Sequence, residues 1–159
     1  MMTNCFCLIA LQLGYKPLAY LRDYTYVAQD PKDELLLGPA YGISKIIDRS
    51  GLKLSDFGVV ELHEAFAGQV LANLNALDSD SFAQKNLGKT SKVGAPSMDV
   101  INNWGGSLSV GHPFGATGVR LVAFCANRLR HENKQFALLA ACAAGGQAHA
   151  MVVERYPGA

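Results

Sequence analysis

The stretch Asn102-Asn103-Trp104-Gly105-Gly106-Ser107-Leu108-Ser109-Val110-Gly111-His112-Pro113-Phe114-Gly115-Ala116-Thr117-Gly118 sets five glycines around one histidine and one proline. No regular strand or helix is built this way, because interior glycine weakens both. Glycine belongs where the backbone takes positive φ or comes close to another group. Pro113 biases His112 toward extended backbone and fixes the approach to the following helix. A histidine presented from so stiff a loop, near a helix N-terminus, is a candidate catalytic base. The plainer alternative is a histidine packed in a tight turn.

Working outward, residues 117–130 read as a helix that is apolar nearly all round, through Val119, Leu121, Val122, Phe124, Cys125, Ala126 and Leu129. A surface helix normally shows one apolar stripe, so this one is expected to be buried on several sides. Beyond it, residues 136–141 read as a strand and residues 149–155 as the strand returning after Gly145-Gly146. Before the loop, residues 18–28 read as a strand and Asp30-Pro31-Lys32-Asp33 as a turn. A helix starts at Pro39 and ends at Gly51. A short strand covers 59–62, and the next helix puts Phe66, Val70, Leu74 and Leu77 on one face, with Glu64 in its first turn. Residues 78–100 are polar and irregular, a connection long enough to be functional or to hold small elements of its own. The alternation of strands and helices points to a layered α/β domain with a mixed sheet.

The totals narrow the function. Half of the 159 residues are hydrophobic, enough for one domain with a core. A formal net charge of +1 gives no basic surface for nucleic acid. Cys5, Cys7, Cys125 and Cys142 fit no zinc spacing and no secreted disulfide pattern, so no metal is expected and a reducing compartment is. The opening, through Leu13, has no basic n-region and an apolar run far short of the ~20 residues of a membrane span. It also lacks presequence-type arginines, the first arginine being Arg22. The segment Gly106 to His112 approaches a phosphate loop, but His112 and Pro113 stand where lysine and hydroxyl are needed.

Two further residues join His112 as candidates. Cys142 lies in Ala140-Ala141-Cys142-Ala143-Ala144-Gly145-Gly146, where small residues leave backbone N–H groups open for an oxyanion. It reads equally as a buried structural cysteine. His63 lies in Leu62-His63-Glu64-Ala65-Phe66, where a strand hands over to a helix, the place α/β sheets put ligands. It reads equally as a helix-capping residue. His131 and His149 read as surface or strand residues, and Cys125 as helix core.

Three blocks resemble the C-terminal half of the thiolase family, and in the family's order. They are His63-Glu64-Ala65-Phe66, then Asn103-Trp104-Gly105-Gly106 through Gly111-His112-Pro113 to Gly118, then Cys142 to Gly146. The resemblance covers nearly everything from Gly14 to Pro157. Within the family it is nearest the mitochondrial 3-ketoacyl-CoA thiolases that form the β subunit of the trifunctional enzyme. His63, where many thiolases carry asparagine, points there, as do Gly14-Tyr15-Lys16-Pro17 and Gln29-Asp30-Pro31-Lys32-Asp33.

The resemblance implies a thiolase-like half with a mixed five-stranded sheet and helices on both faces. It would occupy residues 15–159, after a leader or remnant helix over 1–14. The family's first half, with its nucleophilic cysteine, and its coenzyme A loop domain are expected to be absent, and the chain inactive alone. The implied activity is acetyl-CoA C-acyltransferase, the thiolysis step of fatty acid β-oxidation. His112 would deprotonate the nucleophile and polarise the thioester oxygen. Cys142 would move the proton at the acetyl α-carbon, and His63 would complete the first oxyanion hole. Ala65 and Phe66 would line the acyl pocket, Ala144 would lend an N–H to the second hole, and Gly111 would touch substrate. No resident cofactor is implied, coenzyme A being a co-substrate. The implied partners are acyl-CoA, a second copy or higher homo-oligomer and the trifunctional enzyme α subunit, and the implied location is the mitochondrial matrix or inner membrane. Two other readings remain: a non-catalytic association module, from the apolar helix at 117–130, and a small Cys–His hydrolase with Cys142 as nucleophile.

Overall fold

The structure, a computed structural model, describes residues 8–157. The leader or remnant helix expected over 1–14 therefore lies partly outside the described residues, as do Cys5 and Cys7; residues 8–12 are helical. Four strands form one sheet: β1 (Ala19–Ala28), β2 (Phe57–Leu62), β3 (Phe136–Ala143) and β4 (Gln147–Arg155), in the order β1-β4-β3-β2. β1 and β4 are antiparallel, as are β4 and β3, while β3 and β2 run parallel. After residues 8–12, the α-helices among the described residues are α1 (Pro31–Glu34), α2 (Gly38–Ser50), α3 (Ala67–Leu77), α4 (Asp80–Asn86), α5 (Ser107–Val110) and α6 (Phe114–His131). The turn expected at 30–33 is the start of α1, whose N-cap Asp30 accepts from the Lys32 N–H. Gly51 closes α2 with φ +70°, donating its N–H to the Ile47 carbonyl.

Among the described residues the sheet has four strands rather than five. The place of a fifth, beside β2, holds one parallel bridge, Val60 to Ile101. The pairing stops there because Asn102 turns left-handed, at φ +50°. Its side chain then substitutes for a strand. Asn102 Oδ1 accepts from the Leu62 N–H at 2.8 Å, and Nδ2 donates to the Leu62 carbonyl at 2.8 Å. One amide so satisfies both backbone groups of Leu62, at the end of the β2 edge that another strand would cover.

Helices cover both faces. β3 is buried over Ala137 to Cys142, and an inner strand covered on both faces reads as an apolar run rather than an alternation. On one face Val60, Leu62, Leu138, Ala140, Ala150 and Val152 pack with Ile43 and Ile46 of α2 and Leu74 and Leu77 of α3. On the other, Val59, Ala137, Leu139 and Val153 pack with Cys125 and Leu129 of α6. Full burial of each large aliphatic side chain contributes roughly 1.5–3 kcal/mol. α6 buries one broad side, through Thr117, Leu121, Cys125, Ala126, Arg128 and Leu129. Its other side is open, with Phe114 86% and Val119 71% exposed, so burial on several sides does not occur within this chain.

Arg128 fastens that layer. It is fully buried, 2.7 Å from Glu61 Oε1 on β2 and 2.7 Å from Oε1 of Glu132, the residue that caps the C-terminus of α6. It also donates to the Val60 and Val100 carbonyls.

Candidate active site

His63 stands one residue past β2. Its N–H still donates to the Ala140 carbonyl at 2.9 Å, so the parallel ladder holds it where the chain leaves the sheet. The side chain is 4% exposed, and its Nδ1 lies 3.0 Å from Ser107 Oγ. Ser107 Oγ also accepts from Arg120 Nη2 at 2.8 Å. Burial, and then the nearby His112 and Arg120, push His63 down to about 4, so it is neutral at pH 7.

The neighbouring Glu64 is not in a helix, because α3 begins only at Ala67. Its carboxylate instead accepts from Asn102 Nδ2 at 2.7 Å and from the Leu108 N–H at 3.0 Å, fastening the glycine loop to the end of β2. Gly106 passes so close that an added Cβ would lie 2.0 Å from Glu64 Oε2. Gly106→Ala is therefore expected to destabilise the chain by on the order of 2–3 kcal/mol in urea unfolding, through forced backbone or carboxylate displacement. A loss below about 0.5 kcal/mol would show the contact to be dispensable.

His112 follows Gly111, which takes φ +93° and donates its N–H to the Ser107 carbonyl to close α5. His112 Nδ1 lies 2.6 Å from Thr117 Oγ1 in the first turn of α6. Its ring centroid is 4.3 Å from that of His63, tilted 44°, and 5.1 Å from that of Phe114. Two loops far apart in sequence thus bring two imidazoles into contact.

Cys142 occupies the last buried position of β3, and burial pushes its thiol up from the ordinary value. At neutral pH it is a thiol rather than a thiolate. His63, Ala65, Phe66, His112, Cys142 and Ala144 all line one cavity of about 1300 Å³. Gly111 does not line it; its place is in the backbone that presents His112. Ala144 is not among the residues with positive φ, a conformation that Gly145 and Gly146 take at +91° and +72°. Its N–H is thus available without backbone strain. Among the described residues no cluster of three or more His, Cys, Asp or Glu side chains could hold a metal. No described helix is long and apolar enough to cross a membrane.

Sequence reasoning missed three residues here. His149 is half-buried in β4, lines the same cavity, and lies opposite Ala141, with its ring 6.3 Å from Tyr26. Its alternation with buried Ala148 and Ala150 was the available signal. Ser107 and Arg120 carry no local signal, because their meeting with His63 spans the whole glycine loop.

Burial also lowers His149, so both imidazoles titrate below their unfolded value of 6.5. The unfolded chain then binds more protons between pH 6.5 and 4, and stability falls as pH is lowered through that window. His63 alone is expected to cost on the order of 2–3 kcal/mol there. Urea midpoints compared with those of His63→Gln check this: the variant should lose less stability on acidification, and an identical pH slope would refute the assignment.

Comparisons with known proteins identify the family and the fold. A family model described as thiolase, C-terminal domain, matches residues 15–155. The chain is 64% identical over 148 residues to the mitochondrial trifunctional enzyme subunit beta of Bos taurus, covering 93% of this chain and 31% of that protein. It is 62% identical over 147 residues to a probable 3-ketoacyl-CoA thiolase of Caenorhabditis elegans, covering 92% of this chain and 33% of that protein. The crystal structure of human mitochondrial 3-ketoacyl-CoA thiolase superposes with TM-score 0.77 at 30% identity, over 93% of this chain and 33% of that one. The chain thus spans about a third of the length of the relatives it matches.

Proposed function

The chain belongs to the thiolase family, and from that membership we propose that it supplies the proton-handling half of a 3-ketoacyl-CoA thiolase. The carrying observation is the pair of contacting imidazoles, 4.3 Å apart, on one cavity wall with Cys142. In the proposed reaction a cysteine from the family's first half attacks the 3-keto carbon of the substrate. His112 Nε2 takes the thiol proton, with Nδ1–H donating to Thr117 Oγ1, and the cleaved C2–C3 bond leaves its electrons on acetyl-CoA. Cys142, protonated at neutral pH, delivers a proton to that carbon. Coenzyme A then takes the acyl group from the cysteine: its thiol proton passes to the Cys142 thiolate, and His112 returns its proton to the departing cysteine sulfur. His63 serves the first oxyanion hole, the Ala144 N–H the second, and Ala65 and Phe66 line the acyl channel.

This reading needs no resident cofactor, coenzyme A being a co-substrate. It extends to the mitochondrion as location, at the matrix or inner membrane, and to homo-oligomers and a trifunctional enzyme α subunit as partners. The open side of α6, with Phe114 and Val119 exposed, favours association with other thiolase surfaces. The raised Cys142 thiol argues against the small Cys–His hydrolase.

The test is an assay of the purified 159-residue chain with acetoacetyl-CoA and coenzyme A. No turnover is expected from the chain alone. Turnover is expected once a cysteine-bearing first half of a related thiolase is supplied. Turnover by the chain alone, abolished in His112→Ala, would overturn the proposal.

A further inference from the structure

From the bonds around Ser107 we infer that Ser107 and Arg120 are positioning residues that fix His63 as a hydrogen-bond donor toward the cavity, with its proton on Nε2. The inference rests on the thiolase reading for its meaning, but its geometry stands by itself. Ser107 is 8% exposed, so its hydroxyl has little water to turn to. Its two partners are Arg120 Nη2 at 2.8 Å and His63 Nδ1 at 3.0 Å. A guanidinium only donates, so Arg120 takes a lone pair of Ser107 Oγ. The single hydroxyl proton is left for the other partner. If His63 Nδ1 also donated, that proton would be buried without an acceptor, at a cost of about 1–3 kcal/mol. The relay therefore runs from the Arg120 N–H to Ser107 Oγ, and from the Ser107 O–H to the lone pair of His63 Nδ1. The ring proton then sits on Nε2, and His63, which lines the cavity, presents a donor there.

Arg120 is itself held. Its Nη1 donates to the Gly105 carbonyl at 3.4 Å, and its guanidinium carbon sits 5.3 Å from the centre of the Phe124 ring. A cation fixed beside Ser107 also opposes protonation of His63, which keeps the ring neutral and the relay in one direction. The two touching histidines are thereby given different duties. His63 is a fixed donor suited to an oxyanion and cannot act as a base through Nδ1, which is occupied. His112 Nδ1 meets the Thr117 hydroxyl, which bonds no other donor among the described residues, so its Nε2 is left to act as the base. The division separates two side chains that the sequence presents as alike.

The test is the ring tautomer of His63 in the uniformly 15N-labelled chain, read by long-range 1H–15N correlation at pH 7. Nδ1 is expected in the unprotonated range and Nε2 in the protonated range. Ser107→Ala should reduce that preference to a mixture, and Ser107→Thr, which keeps the hydroxyl, should restore it. Arg120→Met should weaken it by freeing the lone pair that Arg120 occupies. A proton on Nδ1 in the unaltered chain would overturn the inference, without recourse to any variant. So would an unchanged tautomer in folded Ser107→Ala. No turnover enters these readings, so a failed thiolase assay and a wrong tautomer are separate outcomes.

Discussion

Replacing Arg128 with alanine is expected to lower the stability of the fold by about 3–5 kcal/mol, the range for a buried ion pair broken by removal of one partner. Arg128 and Glu61 are both fully buried, and their 2.7 Å contact joins α6 to β2. Glu61 Oε2 has no hydrogen-bond partner among the described residues, so the carboxylate depends on Arg128 through Oε1. Burial already raises the Glu61 carboxyl, and the pair with Arg128 opposes that rise. Without the guanidinium, Glu61 must take up a proton or remain as an uncompensated buried charge. The Val60 and Val100 carbonyls lose a donor as well. Urea unfolding and Tm both read the effect, with a fall in Tm on the order of 10 °C for a domain of this size. The double variant Glu61→Leu/Arg128→Met should recover much of the loss, because apolar residues of similar volume remove both the charge and its penalty. A loss below about 1 kcal/mol in Arg128→Ala, typical of an exposed pair, would show that water reaches Glu61.

His112→Ala carries the second large effect, on rate rather than stability. Its imidazole is exposed at the cavity rim and makes one side-chain hydrogen bond, to Thr117, so its loss should leave the fold intact. In the chain joined with a cysteine-bearing first half, kcat is expected to fall by about 10²–10⁴-fold, the span for loss of a positioned general base. A fall of less than about 10-fold would remove His112 from proton transfer. Gln in its place should not rescue the rate, since an amide donates a hydrogen bond but takes up no proton.

These effects differ in how far the sequence discloses them. The glycine loop announced His112 because its composition suits no regular element, and the structure places three positive-φ or close-approach glycines there. The strands at β1, β2, β3 and β4 were legible from apolar runs punctuated by Gly and Asp-Pro. The fifth strand was an expectation from resemblance, and one side chain, Asn102, ends the pairing that would have formed it. Glu64 looked like a first-turn helix residue because acidic residues suit helix N-termini, yet its role is to anchor a loop 44 residues away. The Arg128–Glu61 pair spans 67 residues and follows no local period, so periodicity could not find it. α6 looked buried all round because its apolar residues were counted without their partners. Its other side stays open, with Phe114 and Val119 exposed.

In the proposed reaction His112 and Cys142 handle protons and do not carry the acyl group. The direct measurement is peptide mass spectrometry after incubating the chain, joined with a cysteine-bearing first half, with acetyl-CoA. The expected result is an acetyl group on the cysteine of the first half and none on Cys142. An acetyl group on Cys142, lost on Cys142→Ser substitution, would contradict this division and make Cys142 the nucleophile.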